Sequence, residues 1–298
     1  MSAQPAIAVP HGVAGVLRDV VTLTKPRITG LVLCTTAGGL YLAPGAPPFW
    51  LLLFTLAGTA LVVAGANTLN MYLERDVDAL MSRTCQRPLP TQRLTPGTAL
   101  GLGIGLGALG VPLLALAVNP LTGALGALAL GLYVLAYTPL KRHSWTALVV
   151  GAVPGAIPPL LGWTAATGRL SWPGLVLFAV LFLWQVPHFV AISLFRNDDY
   201  ARAGLHTLPG ARGVGTAKRY AIYWVAALVP ASLLLVPLGV AGHIYLLAAL
   251  SLGAVFFGWT LWGLRATTGE RWARSLFYVS LIYLTGLFLV LMADGGGT

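Results

Sequence analysis

Charge is scarce in this chain: Asp, Glu, Lys and Arg make up 9% of 298 residues, against 57% hydrophobic residues. With a mean hydropathy of +0.82, the composition lies outside the usage of soluble domains and excludes an ordinary water-surrounded globule. Cysteine is nearly absent too. Cys34 and Cys85 fall in an apolar run and a polar joint with no CxxC spacing, which argues against a zinc site and a disulfide. No CxxCH is present, so a covalently attached c-type haem is excluded. Residues 1 to 20 lack the apolar core and cleavage site of a secretory signal. With Pro5, Pro10, His11, Arg18 and Asp19 they read as a short cytoplasmic tail.

What the chain does have is apolar runs near the roughly 20 residues needed to cross a bilayer. Nine are expected, at 22–44, 49–72, 97–118, 120–138, 144–163, 171–194, 217–238, 241–264 and 274–292. Backbone polar groups in lipid must be satisfied within the segment, so these are helices. The fold class is therefore an all-α integral membrane protein with about nine transmembrane helices around a central cavity. Residues 21–298 make a single membrane domain.

The net charge of +10 does not point to nucleic acid, because of where the basic residues sit. Arg169 alone falls in one set of joints; the other 17 of the 18 Lys and Arg residues fall in the opposite set. That asymmetry marks a cytoplasmic face and sets the N-terminus inside. Two joints on that face are both long and charged, residues 73–96 and 195–216, and four spans separate them. This spacing suggests two similarly built halves whose acidic caps face one cavity.

The first cap opens on "NMYLERDVDALMSRTCQRPLP", Asn70 to Pro90. Asn70, Glu74 and Asp78 are spaced i, i+4, i+8, so a continued helix puts them on one stripe about 12 Å long. Such oxygen ligands suit Mg²⁺, which is commonly shared between carboxylates and substrate phosphates. Arg83 and Arg87 follow with fork-shaped donors for phosphate. Local ion pairs at the end of a helix are the bland account of the same residues. The second cap, "FRNDDYARAGLHTLPGARG" from Phe195 to Gly213, offers Asp198 and Asp199 between Arg196 and Arg202. It reads either as a solvated loop or as the second half of a diphosphate clamp. Tyr137, Lys141 and Arg142 close the fourth span, and Pro154, Pro158 and Pro159 are expected to break or kink the fifth. Gln185 and His188 lie inside the sixth, where polar groups face a cavity or a partner helix. His188 is open to three roles: haem ligand, hydrogen-bond donor or satisfier of a neighbouring helix.

These segments, together with "TKPRITGL", "YTPLKR", "GAIPPLLGW", "WQVPHF" and "DDYARAG", resemble the UbiA superfamily of intramembrane prenyltransferases. The last two motifs, with "ERDVDALMSRT", resemble its haem-modifying branch. The likeness runs colinearly over about residues 20 to 290. It implies transfer of the farnesyl group of farnesyl diphosphate to a vinyl group of haem B (protohaem IX), with water adding to give haem O. It also implies a bacterial inner-membrane location with the active site towards the cytoplasm. By the same likeness, Asn70, Glu74, Asp78 and Asp199 hold Mg²⁺ on the diphosphate, with Asp198 contributing. Lys25, Arg83, Arg87, Lys141 and Arg202 neutralise phosphate oxygens; Tyr137 and Trp184 line the cavity, and His188 contacts haem. A downstream haem-modifying enzyme is a further partner this role brings in.

Position 74 departs from the pattern, with Glu where the superfamily usually carries Asp. Arg196 and Tyr200 stand where its second motif wants aspartates, and His206 and Thr207 where relatives often have Pro and Met. An aromatic prenyltransferase acting on a quinone precursor or chlorophyll-type acceptor shares the clamp, but gives no reason for "WQVPHF". A transporter or haem carrier would use broken helices and midplane polar groups without releasing diphosphate.

Overall fold

The computed structural model describes residues 12–265 and 269–295, and every regular element in them is helical. In chain order these are α1 (Val13–Leu23), α2 (Pro26–Tyr41), α3 (Phe49–Asp78), α4 (Pro96–Ala117) and α5 (Pro120–Gly131). A π-helical turn (Leu132–Tyr137) runs on into α6 (Thr138–Leu140). Then come α7 (Ala147–Thr167), α8 (Trp172–Phe195), α9 (Asn197–Arg202), α10 (Leu208–Arg212), α11 (Val214–Leu233), α12 (His243–Trp262) and α13 (Glu270–Asp294).

Seven helical segments among the described residues are long and apolar enough to cross a membrane: α3, α4, α5 through α6, α7, α8, α12 and α13. The runs expected at 22–44 and 217–238 are α2 and α11. At 16 residues, α2 rises about 24 Å, short of a bilayer core of about 30 Å. Lys218 and Arg219 lie in the first two turns of α11. The tail expected over residues 1 to 20 is in part helical. Pro5, Pro10 and His11 lie outside the described residues, while α1 carries Val13, Leu17 and Val21 exposed, the pattern of a helix lying at a lipid interface. Its buried Asp19 ties it to the first cap through Arg93, whose Nε donates to both carboxylate oxygens at 3.2 and 3.0 Å.

Helices α2, α3, α4 and α5 pack in sequence, as do α7, α8, α11 and α12. The two rows meet where α7 packs on α2, α5 and α8, and α13 closes against α8 and α12. The acidic segments thus follow the second helix of each row. Small residues permit the closest crossings, because helix association in lipid depends on packing and not on a hydrophobic drive. On α4, Gly103, Gly107 and Gly110 give room to Leu69, Leu130 and Val62, while Leu114 sits under Gly58 and Gly126. At the α2–α7 crossing, Gly162 lies against the Thr36 carbonyl and Gly39 against that of Pro159.

Pro154, Pro158 and Pro159 do not break the fifth span: α7 is one helix from Ala147 to Thr167. It is also the most buried of the seven segments, and neighbouring helices tolerate the backbone groups that proline leaves unbonded. Replacing Gly162 with Ala forces a Cβ into the Thr36 backbone, an overpacking cost of about 1–3 kcal/mol. Thermal unfolding in detergent should fall by several degrees for Gly162→Ala. Gly105→Ala, which meets nothing within 4 Å, should unfold at or above the parent temperature.

Candidate active site

The site begins with α3 running without interruption to Asp78, so Asn70, Glu74 and Asp78 form the expected stripe. All three are buried, at 1%, 8% and 1% exposure, and each meets a cation or a polar partner. Asn70 Oδ1 accepts from Lys25 Nζ at 2.8 Å, and its Nδ2 donates to Thr138 Oγ1 at 3.0 Å. Glu74 Oε1 accepts from Lys141 Nζ at 2.8 Å, and Asp78 Oδ2 from Arg87 Nη1 at 2.7 Å. The other carboxylate oxygen of Asp78, Oδ1, is buried with no hydrogen-bond partner.

The cations come from three joints. Lys25 caps α2 with a left-handed backbone, φ 48° and ψ 66°, a conformation uncommon for a residue with a Cβ and typical of functional sites. Arg87 and Lys141 crowd its ammonium with like charge, and an arriving anion would offset that repulsion. Lys141 follows α6. Burial works against its charge, but Tyr137 and Glu74 outweigh that and hold its pKa above the usual lysine value. The Tyr137 ring lies 4.3 Å beneath Nζ, held there by the π-helical turn and by Gly151, where a side chain would meet the ring. Single π-turns of this kind are frequent at functional sites.

The second cap docks onto the first. Asp199 accepts from the backbone N and Oγ of Ser82 at 3.3 and 3.1 Å and from Arg202 at 2.6 Å. The Arg202 hydrogen bond leads the causes that hold its carboxyl below the ordinary value. Val77 and Met81 pack with Tyr200, Ala203 and Leu205, and His206 N donates to the Lys141 carbonyl at 3.1 Å. The ends of α3, α6 and α8 therefore share one mouth, and the 79–87 turn bonds both Asp78, through Arg87, and Asp199, through Ser82. Asp198 is exposed on α9. Arg83 lines a different hollow, with Phe195, Arg196 and Arg274.

Deeper in the bundle, Gln185 is a structural tie: its Nε2 donates to the carbonyls of Ala152 and Leu181 at 3.2 and 3.1 Å. Trp184 Nε1 donates to the Ser280 carbonyl at 2.6 Å, and its ring stacks on His188 at 4.6 Å. Ser280 Oγ lies 2.6 Å from the Phe277 carbonyl and 2.8 Å from His188 Nδ1. A carbonyl only accepts, so the single hydroxyl proton goes to Phe277 and the imidazole proton sits on Nδ1. The lone pair is left on Nε2. Sequence reasoning missed Thr138, Ser82, Ser280 and Phe277. Ser280 lies 92 residues from His188 and has no motif around it that could have revealed it.

No three His, Cys, Asp or Glu side chains form a closed metal site among the described residues. The donor set nevertheless fits a hard cation that completes its shell with phosphate oxygens and water: an amide and two carboxylates in line, with one buried oxygen unpartnered. Fold and site together define an intramembrane prenyl-transfer protein. The chain belongs to the UbiA prenyltransferase family, which it matches over residues 31–282. It is 58% identical over 246 residues to a protoheme IX farnesyltransferase of Sorangium cellulosum, covering 83% of this chain and 88% of that one. The Myxococcus xanthus protein of the same name is 50% identical over 279 residues, covering 94% and 95%. A digeranylgeranylglyceryl phosphate synthase shares the fold at a TM-score of 0.83 and 17% identity, over 95% and 99% of the two chains. A UbiA homologue from Archaeoglobus fulgidus, bound to GPP and Mg²⁺, does so at 0.63 and 16%, over 92% and 99%.

Removing one partner of a buried ion pair strands the other, at a cost of about 3–5 kcal/mol. Arg87→Met should therefore destabilise the protein more than Arg87→Met combined with Asp78→Asn. The comparison is made by thermal unfolding of the three proteins in one detergent.

Proposed function

We infer that the protein transfers the farnesyl group of farnesyl diphosphate to a vinyl group of haem B, giving haem O and diphosphate. The observation that carries this is the α3 stripe: Asn70, Glu74 and Asp78, each beside a cation or polar partner, with one Asp78 oxygen left unbonded. The haem-specific part rests on relatives bearing that activity in their names at up to 58% identity.

Asn70, Glu74 and Asp78, with Asp199 from the facing cap, would hold Mg²⁺ against the diphosphate, where the ion neutralises the leaving oxygens. Lys25, Lys141 and Arg87 stand already oriented at the mouth and present their remaining N–H donors to phosphate, so little reorganisation accompanies C–O cleavage. Arg202, 63% exposed, closes the outer side. Tyr137 and Tyr133, 5.3 Å apart, offer ring faces to the allylic cation and exclude water from it. Its C1 forms a bond to the terminal carbon of the vinyl group. Water then adds at the inner vinyl carbon and gives up a proton, leaving the hydroxyethylfarnesyl substituent. Trp184 and His188 would line the site for the flat acceptor, with the Nε2 lone pair directed to it.

The one-sided distribution of Lys and Arg supports an N-terminus and a site on the cytoplasmic side of a bacterial inner membrane; nine crossings would need α2 and α11 to span beside the seven longer segments. Membranes containing the protein, given haem B, farnesyl diphosphate and Mg²⁺, should yield a haem heavier by one farnesyl group and one hydroxyl. Chelation by EDTA, or Asn70→Ala, should lower the rate at least about a hundredfold, as expected for loss of preorganised charge stabilisation. Unchanged haem from the parent protein overturns the reading. Persistent diphosphate release by Asp78→Asn would exclude the stripe as the centre of the chemistry.

A further inference from the structure

A hollow of about 300 Å³ lies between α8, α13 and the joint after α3, and the diphosphate machinery does not use it. Arg83, Arg196 and Arg274 line it, with Phe195, Phe277 and Tyr278 between them, and no carboxylate among the described residues does so. Glu270, one turn from Arg274 on α13, pairs with it from an exposed position. The guanidinium carbons of Arg196 and Arg274 stand 5.7 and 5.6 Å from the centre of the same ring, Phe195.

Beneath the hollow the aromatic side chains go on packing against one another into the bundle, down to the buried His188 and Trp184. Phe195 is 5.9 Å from Phe277, Phe277 is 4.7 Å from His188, and His188 is 4.6 Å from Trp184. Arg196 follows His188 by eight residues along α8, and Arg274 precedes Ser280 by six on α13. The arginines therefore stand about 12 and 9 Å, measured along the helices, from the His188–Ser280 hydrogen bond. A matching ligand is flat and apolar over about that length and carries two anionic groups at one edge. Haem B has that form, with both propionates on one edge and both vinyl groups towards the other.

We propose that Arg196 and Arg274 bind the two carboxylates of the tetrapyrrole acceptor, with Arg83 at the rim, an assignment that rests on the function inferred above. The porphyrin then lies along Phe277 and His188 with its vinyl edge directed into the bundle. Paired arginines recognise carboxylates by forked hydrogen bonds, and their stacking against Phe195 holds them in place. Arg83 sits one residue from Ser82, which bonds Asp199, so the carboxylate end of the acceptor adjoins the closed cap over the diphosphate.

The test titrates the full-length protein in detergent with haem B and with its dimethyl ester, and measures KM for haem and for farnesyl diphosphate. Arg196→Gln and Arg274→Gln should each weaken haem binding about tenfold, the usual effect of losing a charged hydrogen bond. They should leave ester binding and the KM for farnesyl diphosphate unchanged, and Arg274→Lys should restore part of the loss. Equal haem affinity in parent and variants, or equal weakening of acid and ester, overturns the assignment. Arginine-dependent haem binding without any farnesylated product would support the pocket while refuting the inferred reaction. Product formation with arginine-independent binding would refute the pocket alone.

Discussion

Everything at the mouth of this bundle depends on keeping carboxylates charged where water is scarce. Moving an ion out of water costs several kcal/mol even after relaxation, so each anion needs a partner fixed in place. Glu74 has Lys141, Asp78 has Arg87 and Asp199 has Arg202. These pairs are not evidence of stability in themselves. They hold cations beside oxygen donors before any substrate arrives, in a setting where electrostatic interactions are stronger than in water.

The fold serves that arrangement by bringing distant joints to one end. Lys25 lies 45 residues before Asn70, Lys141 lies 67 after Glu74, and Asp199 lies 117 after Ser82. Two similar rows of helices, joined through α7, place one acidic segment at the end of α3 and the other after α8. Glycine-lined crossings set how closely the rows approach. The departure at Glu74 fits this geometry, since its longer side chain reaches the Lys141 ammonium at 2.8 Å.

Individual residues show how far the sequence could be read. The i, i+4, i+8 spacing of Asn70, Glu74 and Asp78 is local, and α3 bears it out. The positions of seven of the nine apolar runs were equally legible, because bilayer thickness and backbone satisfaction constrain them within one segment. Arg83 and Arg196 were not: both are arginines near acidic residues, yet they line a separate hollow with Arg274, a residue with no local motif. The prolines of α7 are a related case. Local backbone chemistry predicts a break or a kink; α7 does not break, because its burial among neighbours satisfies the freed backbone groups.

Composition, period and charge asymmetry by themselves determined that this is a helical membrane protein with an oxygen-rich stripe at one mouth, since each depends only on residues adjacent along the chain. The tertiary structure alone decided which cation meets which carboxylate, that Ser280 fixes the His188 proton on Nδ1, and that three arginines share one aromatic hollow. Those outcomes arise from helix crossings between segments as far apart in sequence as those of Arg83 and Arg274, and packing at such crossings depends on side-chain volumes from several helices at once.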